Sequence, residues 1–243
     1  MRSASARKIR FLLVYPLLAW LLLVAQMTER RLYLGIGLVA LGALLRVWAN
    51  GYVGHVKVNW TQKWRGDPKI GRLVTAGPYA FVRHPLYLGT FLIGAGFCLI
   101  AGNLGVSLAA LGFFLIVYRR KMVQEETLLR DEIGTPYFIY QAAVPRWLPA
   151  WQRYPNRQGQ WRWEGIVASR EWKTLIWVFV AVLALYFREE IVQEHEFLPV
   201  GKPGEWLKHA VLLAAALVLI LMDGAVELIA RRKRAPRLPR TAG

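Results

Sequence analysis

The chain has 243 residues, 56% of them apolar, with a mean hydropathy of +0.30 and a formal charge of +17. That is too apolar for an ordinary soluble domain of this length. Its Lys and Arg residues fall in short stretches between apolar segments, which argues against nucleic acid as the partner and for an anionic membrane surface. The single cysteine, Cys98, excludes an intrachain disulfide and any CxxC site, and His55, His84, His195 and His209 show no metal-ligand spacing, so no metal is expected.

Taken in chain order, six apolar segments are expected to be membrane helices. The first, about Ile9 to Met27, follows Arg2, Arg7, Lys8 and Arg10; no small-residue cleavage site comes after it, so it reads as a retained anchor. The second runs about Leu32 to Ala49, the third Leu86 to Ala101 and the fourth Leu104 to Tyr118, with Gly102-Asn103 as a tight connection between the last two. The fifth is Trp172 to Phe187 and the sixth about Leu207 to Met222. Several are shorter than the roughly 20 residues of an average span, so their helices should continue into polar flanks. The fold class expected is all-α, a polytopic membrane bundle of about six helices. Its expected parts are a core over 1–150, an interfacial Trp/Arg-rich segment over 151–170 and a C-terminal helical hairpin with a basic tail over 171–243.

Loop charge sets the expected topology. Lys57, Lys63, Arg65, Lys69, Arg72 and Arg83 face one acid, Asp67, between the second and third segments, and the tail carries Arg231, Arg232, Lys233, Arg234, Arg237 and Arg240. The stretch after the fifth segment instead holds Glu189, Glu190, Glu194, Glu196 and Glu205. Six spans place every basic stretch on one side, which the positive-inside rule makes the cytoplasm, with both termini there. The expected location is a multi-pass position in a membrane, the bacterial inner membrane in the first instance.

The third and fourth segments must form a hairpin, which makes Arg83-His84-Pro85 a neighbour of Gln124-Glu125-Glu126. Pro85 suits the first turn of a helix, and His84 then stands at a helix N-terminus, where exposed N–H groups favour an anion. Tyr87 follows His84 by three, on much the same face. Tyr118 to Glu132 lacks Gly and Pro, so the fourth helix should run on past the membrane until Gly134-Thr135-Pro136 stops it. From Arg119 to Glu126 is roughly 10 Å at helical rise, so the carboxylates should stand just above the lipid headgroups. Adjacent residues point about 100° apart, so one of Glu125 and Glu126 is expected to face the hairpin. Either carboxylate could hydrogen-bond ribose hydroxyls or stabilise a sulfonium or ammonium. Taken singly, Arg83 and His84 also fit a lipid-phosphate anchor, Tyr79 and Tyr87 the aromatic belt, and the two glutamates solvated partners of Arg119, Arg120, Lys121 or Arg130. Tyr137 and Tyr140 could share a face, and Arg146 could grip an acidic headgroup. Gly35-x-Gly37 and Gly94-x-Gly96 lie inside apolar helices, where small residues serve packing.

Gly77-Pro78-Tyr79, Arg83-His84-Pro85-Leu86-Tyr87-Leu88-Gly89, Glu125-Glu126, Tyr137-Phe138-Ile139-Tyr140 and Val144-Pro145-Arg146 occur in that order. Together they resemble the integral-membrane methyltransferases of the isoprenylcysteine carboxyl methyltransferase and phospholipid methyltransferase superfamily, over about Leu73 to Pro149. The resemblance implies S-adenosylmethionine as cofactor, bound at the cytosolic helix ends under a cap formed by the C-terminal segment. It implies Tyr79, Arg83, His84, Pro85, Tyr87, Glu125, Glu126, Tyr137 and Tyr140 as cofactor-binding residues. Glu126 and Arg146 are the expected catalytic pair, Glu126 as base for an amine and Arg146 as cation for the acceptor's head. The expected partners are a lipophilic or lipidated substrate and membrane lipid. Two other readings share the motif core: a nicotinamide-dependent membrane reductase, for which the chain lacks room, and a non-catalytic membrane scaffold.

The topology carries a direct test. In a Cys98→Ala background, a cysteine at Glu190 should label only from outside and one at Ala235 only from the cytoplasm. Labelling of both from one side would sink the six-span arrangement.

Overall fold

The computed structural model describes residues 27–53, 73–194 and 203–234. Most of the first expected span, His55, His195, the basic stretch 54–72, Glu196 and the tail beyond Arg234 lie outside them. Among the described residues the fold is entirely helical. It comprises α1 (Glu29–Val53), a 3-10 turn (Gly77–Ala80), α2 (Pro85–Ala101), α3 (Leu104–Ile133), α4 (Thr135–Ala143), α5 (Trp163–Ser169), α6 (Glu171–Glu194) and α7 (Pro203–Arg234). Among the described residues two helices are long and apolar enough to cross a membrane, α1 and the His209–Val226 stretch of α7, and α2 is a shorter apolar helix. Six spans are therefore met in part, as a helical protein with two full-length candidates.

The chain forms two compact units, one reaching Trp172 and the other starting at Lys173. In the second unit Lys173 pairs with Asp223 at 3.0 Å, and the buried His209 lies 3.5 Å from the Tyr186 hydroxyl.

In the first unit, α1 and α2 pack through glycines spaced two turns apart. A Cβ on Gly42 would lie 2.6 Å from the Gly89 carbonyl, and one on Gly35 2.7 Å from that of Gly96; the reverse pairs are as close. Nothing but hydrogen fits between these backbones, which is how small residues let apolar helices approach in lipid. Val39, Ile93 and Ile100 fill the interface beside them. Of the four glycines expected to serve packing, Gly35 and Gly96 do, whereas Gly37 and Gly94 meet nothing within 4 Å.

The hairpin is as expected. Gly102 closes α2 in the left-handed region at φ 67°, and its N–H reaches the Cys98 carbonyl. Asn103 then caps α3, its side chain accepting from the Val106 N–H at 3.1 Å. Helix α3 continues unbroken to Ile133, roughly 45 Å at helical rise. Pro136 opens α4, which turns Tyr137 and Tyr140 inward, three residues apart. They pack with Ala80, Val144 and Tyr154 in one buried cluster. The Tyr140 and Tyr154 rings meet edge to face at 5.3 Å.

Past α4 the chain doubles back along the Gly77–Arg83 turn as an irregular strap. The Arg83 N–H donates to Pro145 O, Ala150 N–H to Phe81 O, Tyr154 N–H to Ala80 O, and the Thr75 and Ala76 N–H groups to Gln158 O. Arg162 N–H then reaches Gly51 O at the end of α1. Gly77 sits at φ 62°, and a Cβ there would strike the Tyr52 ring, so position and conformation both require glycine. The Trp/Arg-rich stretch is part of this strap: Trp161 lies on Gly51, while Trp151 and Trp163 are exposed.

Gly42→Val should therefore destabilise the protein by about 1–3 kcal/mol or more, because the obstacle is backbone. Gly94→Ala should be neutral. Thermal unfolding in detergent compares them, and an unchanged midpoint for Gly42→Val would refute the close packing.

Candidate active site

The polar site lies where the N-terminal end of α2 meets the extension of α3. His84 is the N-cap of α2 and Pro85 its first residue, as the sequence requires. The centre is Glu126, 1% exposed. His84 Nε2 stands 3.0 Å from its Oε1. Arg146 grips it with two parallel bonds, Nε to Oε1 at 2.9 Å and Nη2 to Oε2 at 2.6 Å. Arg83 Nη1 lies 3.4 Å from Oε1. Three basic groups from two motif segments thus surround one carboxylate. Burial alone would raise its pKa, but the hydrogen bonds from His84 and Arg146 and the Arg83 charge outweigh it and hold the group down at about 2.

Glu125 differs. It is partly exposed, accepts a hydrogen bond from the Tyr87 hydroxyl, and its Oε2 lies 4.0 Å from His84 Nδ1. Burial pushes its carboxyl up, and the Tyr87 hydrogen bond and the Lys121 charge offset only part of that. Both carboxylates therefore engage α2, where one was expected to. His84 and Tyr87 are stacked at 5.5 Å, one turn apart, and so offer a partner to each of two adjacent residues.

Arg83 is largely buried; its Nε and Nη1 make no hydrogen bond, and Nη1 has only the 3.4 Å ion contact with Glu126. A buried N–H without an acceptor, as at Nε, is costly unless an anion completes it. Tyr79 is buried in the 3-10 turn, and its carbonyl accepts from the Tyr140 hydroxyl at 2.7 Å. Burial pushes the phenols of Tyr79, Tyr140 and Tyr137 up, that of Tyr137 to about 12. Tyr137 and Tyr140 form the packed floor beneath Arg83. Arg146 spends its fork on Glu126. Of the two carboxyls, the one held low by its cations is Glu126 and the one pushed up by burial is Glu125.

A family model described as phospholipid methyltransferase matches residues 30–134. The protein-S-isoprenylcysteine O-methyltransferase of Schizosaccharomyces pombe is 31% identical over 117 residues, 47% of this chain and 48% of that protein. Over these residues the chain is similar to the isoprenylcysteine carboxyl methyltransferase and phospholipid methyltransferase superfamily. It spans about half the length of this curated relative, and no solved structure matches it. The family match covers nearly all of α1, α2 and α3 with Tyr79, Arg83, His84, Tyr87, Glu125 and Glu126; Tyr137, Tyr140 and Arg146 lie beyond it.

Sequence reasoning missed a second buried cluster on the other face of α2. Arg46 of α1 bonds Glu171 through Nε at 2.6 Å and Nη2 at 2.9 Å, and its Nη1 reaches Thr90 Oγ1 at 2.5 Å. Asn50 Nδ2 donates to Glu171 at 2.7 Å and to the Arg46 carbonyl at 3.0 Å. Asn50 and Glu171 are 0% and 1% exposed. The available signal was Arg46 itself, a charge inside an apolar run that had to find a partner.

Because the folded pKa of Glu126 is depressed, its ion pairs stabilise the fold above the ordinary carboxylate value of 4.5, and that contribution disappears as pH falls toward about 2. Glu126→Gln should cost about 3 kcal/mol at neutral pH, since it leaves buried cations uncompensated. It should also flatten the acid limb of the stability curve. Unfolding followed from pH 7 to 2 tests both, and an unchanged acid limb would refute the ionised assignment.

Proposed function

We propose that the chain is an integral-membrane methyltransferase that moves the methyl group of S-adenosylmethionine to a lipophilic acceptor. The observation that carries this reading is the meeting of Arg83, His84, Glu125, Glu126 and Arg146 at one end of α2 and α3. These are the residues of the superfamily motif. The Arg83 Nε–H, which has no acceptor, suits the amino-acid carboxylate of the cofactor, and Glu125 suits its ribose hydroxyls. Tyr79, Pro85, Tyr137 and Tyr140 shape the pocket from the turn, the helix start and the floor, with Tyr87 fixing Glu125. When bound, the cofactor supplies an electrophilic methyl carbon on a sulfonium.

Transfer is an in-line displacement. A cofactor held by Arg83, His84 and Glu125 would supply the methyl group to the acceptor's lone pair and keep its sulfur as a neutral thioether. The chain's own task is alignment and exclusion of water. Arg146 and Glu126 act as a fixed ionic wall that orients His84. A carboxylate acceptor, as the name of the yeast relative suggests, is already ionised and needs no base. An amine acceptor would give its proton to Glu125. The apolar tail is expected to stay in the bilayer while the head reaches the site at headgroup depth. On this reading the site and both termini face the cytoplasm.

Calorimetry on purified protein should show S-adenosylmethionine binding that weakens roughly tenfold or more in His84→Ala and in Glu125→Ala, the loss expected for a hydrogen bond to a charged group. Labelled S-adenosylmethionine with membrane extract should yield a labelled lipid-soluble product. Wild-type affinity in both variants would reject the site.

A further inference from the structure

Lys121 lies on α3, three residues after Tyr118 and four before Glu125. Its ammonium rests over aromatic faces. Nζ stands 5.0 Å from the centroid of the Tyr87 ring and 6.0 Å from that of Tyr118. Those rings meet edge to face, centroids 5.0 Å apart at 65°. Each is held from behind. The Tyr87 hydroxyl donates to the Glu125 carboxylate, and His84 stacks on the Tyr87 ring. Tyr118 stacks on Phe114 at 4.0 Å. Phe114 leads on to Phe91 at 5.7 Å, and Phe91 to Trp147 at 6.3 Å. Two tyrosine faces and a carboxylate thus surround a cation that the chain itself provides, at the head of an aromatic track between α2 and α3.

We propose that Tyr87, Tyr118 and Glu125 form a recognition site for an alkylated onium cation, with the Lys121 ammonium as its resident stand-in. Aromatic faces attract any cation, but they favour one whose charge is spread over alkyl groups, because such an ion gives up little hydration on leaving water. A lysine ammonium is compact and strongly hydrated, on a flexible stem. It can yield its place to a sulfonium or an alkylammonium and swing to water. The carboxylate supplies the counter-charge, and the apolar rings beyond Tyr118 receive the alkyl substituents. The choice of an onium rests on the methyltransferase reading, in which a sulfonium donor and an ammonium-headed acceptor are the two sources of that chemistry.

The test is calorimetry on the full-length protein with three probes: S-adenosylmethionine, its neutral thioether S-adenosylhomocysteine, and tetramethylammonium. If the seat takes the sulfonium, Tyr118→Leu weakens S-adenosylmethionine about tenfold and leaves S-adenosylhomocysteine unchanged. If it takes an acceptor's ammonium, both cofactor forms bind normally to Tyr118→Leu and tetramethylammonium binding is lost. In either case Tyr118→Phe, which keeps the ring face, restores wild-type binding, and Lys121→Met tightens the seated onium. Equal effects on charged and neutral cofactor forms, with no tetramethylammonium binding to wild type or Lys121→Met, would overturn the proposal, as would weaker onium binding in Lys121→Met. Tetramethylammonium binding without either cofactor form would instead reject the methyltransferase reading and leave the cage standing.

Discussion

The buried carboxylate of Glu126 is the constraint on which the site depends. An ionised carboxylate with 1% exposure must be compensated at close range, and here Arg83, His84 and Arg146 do so together. Arg83 and His84 precede α2, Glu126 lies far along α3, and Arg146 follows α4. Each partner is fixed because leaving it out would strand a charge in low dielectric. The same cations hold the carboxyl of Glu126 low, while burial pushes that of its neighbour up. Two adjacent glutamates acquire opposite properties from surroundings, since one faces the cations and the other faces Tyr87 and the outside.

Holding that arrangement requires a stiff frame. The paired glycines bring α1 and α2 into backbone contact, a packing that permits no sliding without clash. The strap then fastens the Gly77–Arg83 turn from the opposite side by backbone hydrogen bonds, so the turn is held between α1 and the segment after α4. Without the strap, Arg146 would not be delivered to Glu126, and the carbonyls of Ala80 and Phe81 would lose their donors. The strap that does this lies beyond the matched residues 30–134.

A second ionic contact works on the far face of α2. The Arg46–Glu171 pair, with Asn50 and Thr90, ties α1 and α2 to the end of the first unit. The bidentate geometry and two added hydrogen bonds give each charge the close partners that burial demands. Helix α2 therefore carries a polar cluster on each side near the same end, with Tyr79 feeling the charges of both.

Much of this was determined by the sequence alone. Local chemistry fixed the hairpin at Gly102-Asn103, the start of α2 at Pro85 and the stop of α3 at Gly134, because turn, cap and breaker residues act within a few positions of themselves. The ordered motifs identified the residues that meet at the site, since hairpin topology forces the two helix ends together. Tertiary structure alone decided how those residues are used. Arg146 turned to Glu126 and not outward, both glutamates found partners on α2, and Tyr137 and Tyr140 became floor. Which glycines pack, and that Arg46 pairs with Glu171, were likewise invisible in the chain. These outcomes depend on which buried charge and which bare backbone come into contact across separations from 20 residues for Arg146 and Glu126 to 125 for Arg46 and Glu171, and no local preference encodes that.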